Sequence, residues 1–282
     1  MSVSAWPDPP AEFVLRGSGA GAVYVAASME HELSARGLGA WGDWVRTLRA
    51  GVASTGRGLT AVVSGESGPR WRLKFMRRGG SLARLWRDRY PSAGRLVATL
   101  AASQAASARG VPTTRPIALI LAAGWGGLVR GAMAFEELEG AEDLAHRARR
   151  HTATAADLVA TLGAVRLMHD RGIHHTDLNL GNLLVRPHAG GGPDPFVIDF
   201  DRAVVGSKPC GLADRQVALR RLERSCAKIT GSPGLFGPGS EDLWYTIYAA
   251  DDVELAERLA QGRAAGRLAL AIHRVGWRRN QP

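Results

Sequence analysis

A chain of 282 residues with 36 Lys and Arg against 26 Asp and Glu, a formal charge of +10 and 45% hydrophobic residues can bury one large core or two modest ones. That balance excludes a mainly disordered chain. The longest apolar stretch, residues 117–129, is broken by glycines and falls short of the roughly 20 residues a membrane-spanning helix requires. The first thirty residues carry prolines and acids where a signal peptide has a basic start and an apolar run, so no span and a cytoplasmic location are expected. Cys210 and Cys226 form no Cys-x-x-Cys and have no paired histidines around them, which suggests neither a disulfide framework nor a zinc site, and both read as ordinary thiols.

In chain order, residues 1–50 read as a lead-in, with a strand over 22–26 and helical pieces over 29–36 and 41–50. Gly56, Arg57 and Gly58 then precede a β-prone run at 59–63, a turn at 64–69 and a second strand at 70–76, which together make a glycine-led hairpin. The alanine-rich stretch 93–109 predicts a helix closed by Gly110 and Pro112. Two further strands are predicted at 117–121 and 127–136. From Gly140 the pattern turns helical, over 141–150 and 155–170. In the second of these Leu158, Val159, Leu162, Val165 and Met168 form an apolar stripe ended by Gly172. A polar loop, short strands at 183–185 and 196–198, and helices at 214–228, 241–248 and 253–268 complete the chain. The expected fold is α+β, with an antiparallel sheet and one helix first and a mainly helical part after it.

The positive charge is almost all arginine, because lysine occurs only at Lys74, Lys208 and Lys228. Residues 70–95 hold nine basic side chains against Asp88 alone. Such a field suits phosphates or an anionic lipid surface, and equally describes a solvated basic face. No zinc finger, helix-turn-helix or aromatic RNA-binding signature accompanies it, so nucleic acid is not expected as a partner.

The chemistry concentrates in His174-His175-Thr176-Asp177-Leu178-Asn179-Leu180-Gly181-Asn182 and in Phe196-Val197-Ile198-Asp199-Phe200-Asp201. A loop with Asp and, five residues on, Asn, followed by a hairpin ending in an apolar strand with Asp at its tip, is what phosphoryl transfer on a protein-kinase-like fold requires. One carboxylate meets the hydroxyl proton, while an amide oxygen and a second carboxylate hold Mg²⁺. Asp177 is the expected base or orienter, Asn182 and Asp199 the expected metal ligands, and His175 the structural histidine of the loop. Lys74, the only lysine before this loop, lies on a predicted strand where such a fold places the side chain that holds the α- and β-phosphates of ATP. Gly56, Arg57 and Gly58 can bring backbone N–H groups to the same phosphates. One part of the pattern is absent: no Asp or Glu occurs between Asp88 and Glu136, so the helix after the Lys74 strand offers that lysine no carboxylate. Gln104, Glu66 and Asp88 are the candidate substitutes.

These residues resemble the bacterial 3-deoxy-D-manno-octulosonic acid (Kdo) kinases, relatives of the lipopolysaccharide core heptose kinases. The likeness is carried by Gly56-Arg57-Gly58, by Arg78-Gly79-Gly80 followed by Asp88-Arg89-Tyr90, by the Glu-x-x-x-Gly-Ala-x-Asp-Leu pattern within 135–144, and by the Asp177 and Asp199 motifs. The Leu-Arg-Arg-Leu and Arg-Ser spacing within 214–228 echoes it further. The resemblance implies a bilobal protein-kinase-like fold: a lead-in at 1–50 packed on the N-lobe, an N-lobe at 51–136 and a C-lobe at 137–282. It also implies ATP- and Mg²⁺-dependent phosphorylation of a hydroxyl on the Kdo sugar of a lipid A precursor. The protein would then be peripheral, on the cytoplasmic face of the inner membrane, with an anionic membrane surface as partner. By the same carry-over Glu136 opens the hinge near adenine and Asp143 lies near the ribose. Two alternatives stay open: a phosphotransferase for a small soluble alcohol of the aminoglycoside or choline type, and an ATP-binding pseudokinase acting as a scaffold.

Overall fold

A computed structural model describes residues 6–17, 20–51, 60–65, 68–77, 88–188, 191–259 and 261. The predicted Gly56-Arg57-Gly58 and Arg78-Gly79-Gly80 elements, Glu66, and residues 260 and 262–268 of the predicted helix at 253–268 lie outside these residues; 253–259 are helical. The chain divides into two compact units, one of residues 1–107 and 114–138, the other of 108–113 and 139–282.

The first unit is built on a six-stranded antiparallel sheet of β1 (Phe13–Arg16), β2 (Gly21–Ala26), β3 (Thr60–Val63), β4 (Trp71–Phe75), β5 (Pro116–Ala123) and β6 (Val129–Glu136), in the order β1-β2-β5-β6-β4-β3. Residues 13–26 thus supply two of its strands. Among the described residues, helices α1 (Glu30–Ala35), α2 (Trp41–Ala50) and α3 (Gly94–Ala108) accompany it. Side chains alternate across the central strands, as a period of two requires. Tyr24, Leu119, Leu121 and Met133 join Leu96, Val97 and Leu100 of α3 in one apolar cluster. Val25, Ile120, Ala132 and Ala134 join Leu33, Trp44 and Leu48 of α1 and α2 in another. Both faces of β5 are therefore buried, which is why it reads as a continuous apolar run and not as an alternation. Gly131 on β6 permits the close packing of α3, since a Cβ there would stand 2.9 Å from Cδ1 of Leu96.

The second unit is mainly helical: α4 (Leu144–Arg149), α5 (Ala155–Asp170), α6 (Leu212–Thr230) and α7 (Leu243–Ala249). Two small sheets accompany them, one of β7 (Glu142–Asp143), β9 (Leu183–Arg186) and β10 (Asp194–Val197), the other of β8 (Ile173–His174) and β11 (Val204–Val205). A capping box fixes the start of α5: Thr154 Oγ1 accepts from the Asp157 amide, and the Asp157 carboxylate accepts from the Thr154 amide. Arg147 grips the same buried carboxylate with bonds of 3.0 and 2.9 Å. Leu158, Leu162, Val165 and Met168 of α5 are buried as their spacing predicts, but Val159 is 54% exposed. One residue beyond Leu158, it is rotated about 100° off the stripe. The whole is the α+β architecture expected from the sequence.

Candidate active site

In the second unit the loop after β8 is held from inside by His175. Its imidazole is buried, stands 5.4 Å from the Phe200 ring, and hydrogen-bonds through Nε2 to the Ile198 carbonyl at 3.0 Å. Nδ1 accepts from the Asp177 amide at 3.3 Å. One ring nitrogen must donate and the other accept, so the ring is neutral with its proton on Nε2. Burial pushes its pKa below the ordinary histidine value, in the direction that keeps it so. His175 thereby ties the Asp177 backbone to the residue preceding Asp199.

Asp177 is fixed by its backbone and left open at its carboxylate. The Asp177 carbonyl accepts from Nδ2 of Asn182 at 3.1 Å and from Nδ2 of Asn179 at 2.8 Å. Its side chain is 74% exposed, with Nη1 of Arg221 3.4 Å from Oδ1. Asn182 is nearly buried, and with its amide nitrogen committed to Asp177 it has its Oδ1 to offer as a ligand. The Asn182 carbonyl accepts from the Ile198 amide at 3.0 Å. Asn182 and Asp199, seventeen residues apart in sequence, are thus brought together by a backbone bond to the neighbour of one of them. Asp199 itself sits in the left-handed region, at φ 68°, where among residues with a side chain Asp and Asn are the best tolerated.

Asp143 has a local task in this unit: its Oδ1 accepts from the His146 amide at 2.6 Å and caps α4. In the first unit Lys74 lies on β4, paired with Thr60 on one side and Met133 on the other, with Nζ 5.6 Å from the centre of the Phe135 ring. Trp71 and Leu73 are fully buried against the α1 and α2 face. Lys74 alternates onto the face that α3 covers. Glu136 ends β6, opposite Trp71, and its amide donates to the Arg115 carbonyl. Helix α3 carries no acid, as the sequence requires. Of the candidate substitutes, Gln104 directs its amide nitrogen to Glu12 and Asp88 pairs with Arg130 at 3.2 Å.

The contact sequence reasoning missed is Arg221. The Leu-Arg-Arg-Leu spacing marked its helix, but nothing local relates it to Asp177, forty-four residues away. Helix α6 is tied to the loop a second time, because the Leu180 amide donates to Oγ of Ser225 at 3.1 Å.

A family model described as the lipopolysaccharide kinase (Kdo/WaaP) family matches residues 43–234. The 3-deoxy-D-manno-octulosonic acid kinase of Xanthomonas axonopodis pv. citri is 34% identical over 197 residues, which is 68% of this chain and 74% of that protein. The protein of the same name from Photobacterium profundum is 32% identical over 192 residues, 67% of this chain and 78% of the other. A solved structure described as WaaP in complex with acyl carrier protein covers 77% of this chain and 89% of that one, at 18% identity and a TM-score of 0.47.

Proposed function

The chain belongs to the lipopolysaccharide kinase (Kdo/WaaP) family, and from that premise we propose that it transfers the γ-phosphoryl group of ATP to a hydroxyl of the Kdo sugar on a lipid A precursor. The observation that carries this reading is the loop around Asp177: backbone immobilised by His175, Asn179 and Asn182, carboxylate exposed. A carboxylate so held can accept a hydrogen bond from an acceptor hydroxyl and take its proton as the oxygen bonds to phosphorus and the ADP oxygen departs.

The donor set fits Mg²⁺. Asn182 Oδ1 and the Asp199 carboxylate are hard oxygen ligands, and a magnesium ion shared with substrate phosphates takes one or two such groups from the protein. When bound, the ion would neutralise charge on the phosphates. Lys74 would hold the α- and β-phosphates, with Gly56, Arg57 and Gly58 offering backbone amides, and Glu136 and Asp143 would lie toward the adenosine.

Contact with an anionic bilayer, at the cytoplasmic face of the inner membrane, is the part of the reading that Trp125 supports. This side chain is 89% exposed at the turn between β5 and β6; Arg130 lies on β6, Arg89 precedes Tyr90, which bridges to Val129, and Arg95 of α3 stands over the Tyr90 ring. An exposed indole next to guanidinium groups suits the headgroup level of an anionic membrane. Among the described residues no helix is long and apolar enough to cross one.

The test is transfer from γ-labelled ATP to a Kdo-bearing lipid A precursor, beside a panel of soluble sugars and amino alcohols. Asp177→Asn keeps the backbone bonds and removes the base, so turnover should fall by about 10²–10⁴ while nucleotide binding persists. Unchanged turnover would remove Asp177 from the mechanism. Transfer only to soluble alcohols would replace the acceptor, and nucleotide binding without transfer to any acceptor would favour the scaffold.

A further inference from the structure

Two kinds of arginine occur in the second unit. Arg147 is partly buried with Nη1 on both Asp157 oxygens, and Arg215 reaches Asp170 at 2.6 Å, the Tyr248 hydroxyl at 3.0 Å and the Cys210 carbonyl at 2.9 Å. These are fully engaged structural arginines. Arg221 is not: it makes one long bond, 3.4 Å, to Asp177, and its Nε is shielded from solvent with no hydrogen-bond partner among the described residues. Its donors are therefore incompletely used.

Arg224 lies three residues on, on the same face of α6, and Ser225 next to it fixes this turn to the Asp177 loop. Burial, and then the charges of Arg221 and Arg220, push the Arg224 guanidinium below the usual arginine range, while Glu223 opposes them. Like charges at this spacing destabilise a helix by a few tenths of a kcal/mol per pair, a cost that an added anion would lower. The Asp177 carboxylate, exposed and singly bonded, is a weak partner, because ion pairs open to solvent are worth about 0–1 kcal/mol. Arg221 reaches Oδ1 alone, so the carboxylate keeps acceptor sites for a hydroxyl.

Resting on the kinase reading above, we propose that Arg221 and Arg224 form the subsite for an anionic group of the acceptor, a carboxylate or a phosphate. The incoming anion takes Arg221 in the fork geometry that guanidinium groups offer such ligands, beside the carboxylate that meets the hydroxyl to be phosphorylated. Acceptors without a negative charge near the reacting hydroxyl lack this contact with Arg221 and bind more weakly.

The experiment is steady-state kinetics with wild type, Arg221→Gln, Arg221→Lys and, as a charge control, Arg258→Gln, whose side chain pairs with Glu254 at the surface. Wild-type transfer to the lipid-linked sugar must be seen first, and its absence would count against the kinase reading and not against the subsite. Arg221→Gln should raise the acceptor KM about 10- to 100-fold, the equivalent of one charge-assisted hydrogen-bonded contact. The KM for ATP and kcat should stay within about threefold of wild type, with Lys intermediate and Arg258→Gln unchanged. Acceptors with the sugar carboxylate esterified, or with the lipid phosphates removed, identify the anion. The modification that raises the KM of wild type but no longer affects Arg221→Gln marks the group bound. A variant that unfolds early would be replaced by Arg221→Lys under the same comparison. A fall in kcat at constant acceptor KM would overturn the proposal and make Arg221 a positioning residue for Asp177. Equal sensitivity of wild type and variant to both acceptor modifications would overturn it as well.

Discussion

Taking the protein from pH 7.5 to pH 5 is expected to remove about 2 kcal/mol of stability through His169 alone. This residue, in the last turn of α5, is fully buried, with Nδ1 2.8 Å from the Tyr248 hydroxyl, and that hydroxyl receives a bond from Nη1 of Arg215. The phenol oxygen accepts from Arg215 and donates to the imidazole, so His169 is the neutral acceptor of the chain. Burial first, and then the charge of Arg215 with lesser contributions from His174 and His175, brings its pKa down to about 3. The unfolded chain titrates near 6.5. A folded pKa below the unfolded one means that the unfolded state binds the extra proton between pH 6.5 and 3. Stability is therefore complete above the upper value and is lost as pH falls through this window. At pH 5 the unfolded histidine is about thirtyfold protonated over neutral, worth ~2 kcal/mol, and each further unit costs ~1.4 kcal/mol until the folded pKa is reached. Urea denaturation followed by near-UV circular dichroism, at half-unit steps from pH 7.5 to 5, measures the slope. His169→Gln keeps an acceptor for Tyr248 and removes the titration, so its slope below pH 6 should be shallower by close to one proton. The residual slope contains His175, whose pKa is also lowered by burial. A His169→Gln variant with the full wild-type slope would refute the assignment.

Two further outcomes are expected. Gly172→Ala should destabilise the protein by on the order of 1–3 kcal/mol, because this residue holds φ 74° and a Cβ there would meet the carbonyl oxygens of Lys208 and Gly206 at 2.5 and 2.9 Å; a melting temperature within a degree of wild type would contradict this. Trp125→Ala should weaken binding to vesicles containing anionic lipid about tenfold, from ~1.5 kcal/mol of lost apolar burial; co-sedimentation unchanged by the substitution would remove that turn from the membrane contact.

What the sequence disclosed and what it hid follow from the range of the interactions concerned. The spacing of Asp177, Asn182 and Asp199 is set by local chain geometry, two bonds within a loop and one across a hairpin, so the group was legible as a pattern. Helix α5 was legible to the residue, because Thr154, Asp157 and Gly172 mark both its ends. The strand Phe13–Arg16 was not, since four residues show too little alternation and its evidence is its pairing with β2. The two-residue strands β7, β8 and β11 carry no periodic signal at all. Asp143 shows that a motif match and a local use can fall on one side chain: the residue carried over as near a ribose is the N-cap of α4, a role that its place just before Leu144 announces. Arg221 and the His169, Arg215 and Tyr248 chain join residues 33 to 79 positions apart. No single-sequence spacing rule reaches that far.

The left-handed backbone of Asp199 decides which replacement can isolate its charge. Alanine at φ 68° adds backbone strain to the loss of the carboxylate, so an Asp199→Ala enzyme would confound two defects. Glutamate keeps the charge but has no side chain short enough to bond back to its own backbone there. Asparagine alone preserves both size and conformational tolerance while removing the negative charge, and Arg202 at φ 63° three residues on makes this stretch doubly sensitive to the choice. A kinetically dead alanine variant would therefore be ambiguous evidence about metal binding, whereas an asparagine variant would be interpretable by itself.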